Sequence, residues 1–132
     1  MKGLPCSGKT SWAKAWANES HNRVRVSWSD ILETMGGGKF RRERRPLAFD
    51  AALRLMCCAL RAGMDVVLDE ENLHGSEWGL FVARAQQCRA KVEWHYMAVS
   101  AEECKRRNTL MGHPVADMLI DRLAERWKDW LK

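Results

Sequence analysis

Eight residues near the start of the chain, Gly3-Leu4-Pro5-Cys6-Ser7-Gly8-Lys9-Thr10, have the types and spacing to hold a triphosphate. Gly3 and Gly8 let the backbone curl until successive amide groups converge on one anion, with Pro5, Cys6 and Ser7 forming the arc between them. Lys9 adds a positive charge for the β and γ oxygens, and the Thr10 hydroxyl suits a magnesium ligand. Ser11 opens a run of helix formers reaching Asn18, so the anion sits at a helix N-terminus, where unpaired amides and the macrodipole favour negative charge. The chemistry this implies is binding of a nucleoside triphosphate with Mg²⁺. Cys6 stands where such loops often have Gly or Ala, and reads as a tolerated small residue.

Other chemistry-bearing groups recur along the chain. Met64–Leu68 is an apolar run ending in Asp69-Glu70-Glu71-Asn72. Asp69 is the residue best placed to hold Mg²⁺ or its water ligands, with Glu70 next to it. Asp30 follows the alternating stretch Val24–Val26 and the break at Ser27-Trp28-Ser29. Two readings of it stay open: a helix N-cap, a role Ser29 could share, or a general base at the carboxyl end of a strand. The most basic stretch is Lys39–Arg45. There Lys39, Arg41, Arg42 and Arg44 can neutralise phosphates of a nucleic acid and Phe40 can stack on a base; the other reading is a solvated basic loop. Lys105, Arg106 and Arg107 form a second cluster, either a lid whose guanidinium closes on a transferring phosphoryl group or a solvated helix face. His74 reads as a helix-start residue and His95 as structural.

These groups need scaffolding, and the pattern supplies it. After the first helix come a strand at 24–26, a helical turn at 31–35 and a Gly36–Gly38 break. A helix at 48–62 follows, then the strand at 64–68 and an amphipathic helix at 74–88 with Trp78, Phe81, Val82 and Ala85 on its core face. Lys91–Met97 alternates as a strand should, and Ser100-Ala-Glu-Glu103 is a capping box opening a helix that ends near Gly112–Pro114. Val115–Leu131 closes the chain as an amphipathic helix with Leu119, Ile120, Leu123, Trp127 and Trp130 inward. The 132 residues suit one domain, 1–132. No apolar run approaches the ~20 residues of a membrane span. Five cysteines without C-x-x-C spacing point to a reducing cytoplasm and away from a zinc or disulfide framework. The net charge of +5 is compatible with a polyanionic partner.

The order of elements describes an α/β, three-layer P-loop NTPase fold with a parallel sheet. Only Met1 and Lys2 precede the phosphate-binding loop, so its usual leading strand is expected to be missing, as it would be if the true start lay upstream. In detail the chain resembles the polynucleotide 5′-hydroxyl kinases and, more broadly, the zeta-toxin-like small kinases. The likeness runs over nearly the whole chain. It rests on GLPCSGKTSWAKAWA, on VSWSDILETM, on VVLDEENL and on AEECKRRNTLMGHPV. It implies that Lys9 and Thr10 hold the triphosphate and Mg²⁺, that Asp30 takes the proton of the attacking hydroxyl, and that Arg107 steadies the phosphates. The acceptor implied is the 5′ end of DNA or RNA. Two positions depart from that family: Glu33 stands where an arginine grips the acceptor phosphate, and Met111 where a lid arginine is expected. Phosphoryl transfer to a small metabolite, or a non-catalytic ATP-binding module, are the alternatives.

Overall fold

The computed structural model describes residues 1–39, 41–70 and 75–128. Its strands are all parallel and fall into two pairs. In one, β2 (Arg23–Val26) lies beside β3 (Asp65–Leu68), with Arg23 opposite Asp65 and Val26 opposite Leu68. The ladder extends one bond beyond each end: the Asp65 amide donates to the Asn22 carbonyl and the Asp69 amide to the Val26 carbonyl, both at 2.9 Å. In the other pair, β1 (Lys2–Gly3) lies beside β4 (Tyr96–Met97). The expectation of a missing first strand is therefore corrected. A two-residue strand precedes the loop and aims it. Between the pairs, the Met1 amino group donates to the Leu68 carbonyl at 3.0 Å.

The strand expected over 91–97 forms only at its last two residues. The physical reason is the length of its neighbour. Lys2 donates to the His95 carbonyl at 2.8 Å, and below that point β1 offers no backbone to continue the ladder. Alternation gave residues 91–95 the right side chains for a strand, but a strand also needs a partner edge.

Among the described residues, six α-helices accompany the strands. α1 (Lys9–Asn18) starts at the phosphate-binding loop and packs on β2. α2 (Trp28–Met35) follows β2 directly and is capped by Ser27, whose Oγ accepts from the Asp30 amide at 3.3 Å. The expected caps, Ser29 and Asp30, instead lie inside the first turn. A short 3₁₀ turn (Arg42–Arg44) leads into α3 (Arg45–Arg61), which has Pro46 in its first turn, where a missing N–H costs nothing. α4 (Gly75–Gln87), α5 (Ala101–Leu110) and α6 (Asp117–Trp127) complete the chain.

Apolar side chains gather in two clusters. The first joins Val26, Trp28 and Leu32 to Ala52 and Met56 of α3 and Phe81 and Ala85 of α4. The second joins Leu4 to Cys104 of α5 and to Ile120 and Leu123 of α6. A fully buried aliphatic such as Leu32 contributes about 1.5–3 kcal/mol and the Ser27 cap about 1, so packing more than capping holds α2 in place. Leu119, expected inward, is exposed because α6 presents a narrower apolar stripe than its sequence spacing suggested. Trp130 and His74 lie outside the described residues. No helix, among the described residues, is long and apolar enough to cross a membrane.

Candidate functional site

The phosphate-binding loop runs from β1 into α1, and its shape follows from two glycines. A Cβ on Gly3 would lie 2.8 Å from Ser7 Oγ and 2.9 Å from Met97 Cβ, so only glycine lets β4 pass this close. Gly8 sits at φ +95° and serves as the N-cap of α1. Cys6 adopts φ +62°, an unusual conformation for a residue with a side chain. No side chain caps α1 and no acidic residue stands in its first turn. The leading amides of the helix and the curl of the loop thus form a cradle suited to an anion.

Lys9 is buried and turns back into this cradle. Its Nζ donates to the carbonyls of Gly3 at 2.9 Å and Leu4 at 2.6 Å, with Ser7 Oγ at 3.4 Å. Pro5 and Ser7 are buried beneath the loop, whereas Thr10 and Ser11 lie exposed at the start of α1. Arg107 reaches the same loop from α5, its Nη1 donating to the Ser7 carbonyl at 3.2 Å. Next to it, Asn108 accepts a weak bond from Cys6 Sγ at 3.7 Å. Asn108 also donates to the Val115 carbonyl and to Asp117, stapling the turn before α6. Its type and position gave no sign of this in the sequence.

The capping box at the head of α5 forms only in half. Ser100 Oγ accepts from the Glu103 amide, but the Glu103 carboxylate turns toward Arg106 and Arg107 at 2.7–2.8 Å. Those two guanidiniums hold its pKa down to about 2. Lys105 pairs with Glu102 and Asp121, which raises its pKa above the ordinary lysine value. Of these three cations, Arg107 bonds to the loop.

On the neighbouring strands, the two candidate carboxylates share one cation. Arg25, in β2, bonds Asp69 through Nε at 2.8 Å and Nη2 at 2.7 Å. Its Nη1 bonds Asp30 Oδ2 at 2.5 Å. Asp69 is buried at the end of β3, while Asp30 is 55% exposed in the first turn of α2. Arg25 was missed in the sequence, where it reads as one polar position of an alternating strand. Its partners stand 5 and 44 residues away, so only tertiary structure joins them.

Glu70 has a different task. Its Oε1 accepts from the Trp28 and Ser29 amides and its Oε2 from Ser29 Oγ at 3.2 Å, so it caps α2 from the next strand. Burial pushes its pKa up to about 8 despite these bonds. The basic stretch lies beyond α2, with Lys39, Arg41 and Arg42 exposed. Arg44 is exposed too but donates to the Met35 carbonyl, closing the end of α2. Arg45 stacks on Trp28 at 4.9 Å and pairs with Glu77 at 2.9 Å, which ties the stretch to the Asp30 end of α2. Phe40 lies outside the described residues. His95 stacks on Trp12 with ring centroids 4.0 Å apart.

Among the described residues no three His, Cys, Asp or Glu side chains gather as a metal cluster. Magnesium at nucleotide sites is bound through one or two protein oxygens, substrate phosphates and water, so Asp69 with Thr10 is a donor set of the right chemistry. A comparison with curated protein sequences finds no match. A protein-family model described as an AAA domain matches residues 1–128, almost the full length. With the cradle, the parallel strands and the carboxylates at their ends in view, the chain belongs to this AAA-domain family, a P-loop NTPase-like group that includes kinases.

Proposed function

We propose that the protein is a P-loop kinase that transfers the γ-phosphate of ATP, with Mg²⁺, to a hydroxyl, and that the acceptor is the 5′-OH of a polynucleotide. The observation that carries this reading is the pair Asp30 and Asp69, at the carboxyl ends of adjacent parallel strands and bridged by Arg25. Parallel α/β sheets bind ligands at that end. In this reading the loop amides from Cys6 to Ser11 and the Lys9 ammonium hold the triphosphate. Thr10 and Asp69 would hold Mg²⁺, which would supply charge neutralisation to the triphosphate. Asp30 accepts the proton of the acceptor hydroxyl as its oxygen bonds to the γ-phosphorus and ADP leaves. Arg107, already on the loop, stabilises the charge on the transferring group. Lys39, Arg41, Arg42 and Arg44 face the acceptor's phosphates. Arrangement into three layers, with helices on both faces of one sheet, goes with this reading.

A second acceptor class is favoured by one observation. Glu33 stands exposed on α2 one turn after Asp30, where its negative charge opposes a polyanion. The deciding experiment is γ-phosphate transfer from ATP to a 5′-OH oligonucleotide, run with the wild type, with Asp30→Asn, and with Lys39, Arg41 and Arg42 changed together to Ala. Asp30→Asn is expected to lower turnover about 10²-fold or more. The triple variant should flatten the salt dependence of oligonucleotide binding, by a log–log slope of about 2 for a single strand. An Asp30→Asn rate equal to wild type removes the general base. Transfer to small hydroxyl compounds alone moves the acceptor to a metabolite.

A further inference from the structure

α3 and α4 run side by side in the same direction, and their contacts keep one register. In their first turns Arg45 pairs with Glu77 at 2.9 Å. One turn on, Phe49 meets Phe81 edge to face, with ring centroids 5.1 Å apart. A turn further, Leu53 and Ala85 are both buried in the same apolar cluster. Residues spaced this way lie along one stripe of a helix, so two matching stripes face each other. The next step along them brings Cys57 of α3 to Cys88, which directly follows the last residue of α4. Cys88 still keeps the helical path, its amide donating to the Arg84 carbonyl at 3.1 Å.

The two thiols are reduced, half buried and in contact, the Cys57 thiol hydrogen-bonding the Cys88 side chain. Burial pushes the Cys57 thiol up, and the bond to Cys88 adds to the rise. Arg61, one turn beyond Cys57, and Arg84, one turn before Cys88, act in the opposite sense. Cations beside a sulfur favour the thiolate, which is the form that reacts. Cys58 makes a useful contrast. It is exposed, and it sits about 100° round α3 from Cys57, off the stripe that faces α4.

We propose that Cys57 and Cys88 form a redox-responsive pair, which a hydroperoxide oxidises to an intramolecular disulfide fastening the ends of α3 and α4. Cys88 reacts first, because Cys57 is the hydrogen-bond donor of the pair and holds its proton. With hydrogen peroxide, the Cys88 thiolate attacks one oxygen and breaks the O–O bond, giving a sulfenic acid and one water. The Cys57 sulfur then displaces the sulfenyl hydroxyl, forming the S–S bond and releasing a second water. The two sulfurs give up two electrons, the peroxide takes them, and both thiol protons leave in water. A thiol reductant reverses the step. At their other ends the fastened helices carry Arg45 and Glu77, beside Trp28 of α2, so the bond stiffens the support on which Asp30 rests. The pair is independent of the proposed kinase activity, because none of its readouts involves turnover.

The test treats the full chain with hydrogen peroxide, blocks the remaining thiols, and maps linked peptides after digestion without reductant. Expected is a Cys57–Cys88 link in the monomer, an intact mass about 2 Da lower, and recovery of both thiols with dithiothreitol. In the folded chain this link should exceed a Cys58–Cys88 link at least about tenfold, and in urea the two should approach parity. Absence of the link, linkage through Cys58 as often as through Cys57, or linkage only between two copies overturns the proposal. So does an equal preference in urea, which would take the helix register out of the cause. Cys57→Ser should lose the link and leave Cys88 as a sulfenic acid that dimedone traps. Dimedone labelling of Cys57 in Cys88→Ser, with no label on Cys88 in Cys57→Ser, would overturn the order of the two steps.

Discussion

Lys9 illustrates how much of the site lies in single side chains. Its ammonium serves the loop before it serves any phosphate, because the Gly3 and Leu4 carbonyls it satisfies are both buried. Lys9→Ala should therefore do two things: abolish ATP binding and destabilise the fold by about 1–3 kcal/mol, the cost of taking the ammonium away from the buried Gly3 carbonyl, while the Leu4 carbonyl keeps the Ser7 amide. Urea unfolding beside an ATP-binding assay separates the effects, and a variant that still binds ATP would remove the loop from the site. Lys9 and the glycines were legible in sequence because their spacing is fixed by local backbone geometry. Arg25 and Asn108 were not, since each draws its function from partners that only the folded chain brings near.

At the scale of elements, α2 is the piece that positions Asp30, and it is held from two sides. Ser27 caps it from within, and Glu70 caps it from the neighbouring strand. The second cap responds to pH. The folded protein keeps the Glu70 proton up to about pH 8, whereas the unfolded chain releases it near the ordinary glutamate value of 4.5. The folded state thus binds more protons in between, and stability falls as pH rises from about 5 to 8, by up to about 1.4 kcal/mol per pH unit from this group. Glu70→Gln should keep the hydrogen bonds and lose that slope in metal-free buffer. Thermal melts at intervals across the range check it, and an unchanged slope would place the proton elsewhere. Helix positions were mostly readable from apolar spacing and turn residues, as for α3 and α5. The strand at 91–97 was misjudged because alternation reports which residues suit a sheet, and not whether a neighbouring edge is present. The cap on α2 shifted from Ser29 or Asp30 to Ser27 for a related reason: where a helix begins depends on where the preceding strand lets go.

The whole molecule carries the mark of its divided sheet. One apolar cluster belongs to β2, α2, α3 and α4; the other belongs to Leu4, α5 and α6, and they share no buried residue. The α/β class with parallel strands was legible from the order of motifs, but this partition was not, because it depends on how far two short strands reach. Its consequence concerns cooperativity. A single continuous sheet makes every helix on it melt together, whereas two cores joined by α1 on β2, by the Trp78–Trp94 contact and by the Met1 amine bond can come apart in turn. Heating the chain should then give a calorimetric enthalpy larger than the van't Hoff enthalpy, the sign of more than one transition, and equality of the two would mean the halves unfold as one. The half carrying α5 and α6 holds Arg107, so the segment that reaches over the phosphate cradle is also a unit able to loosen by itself.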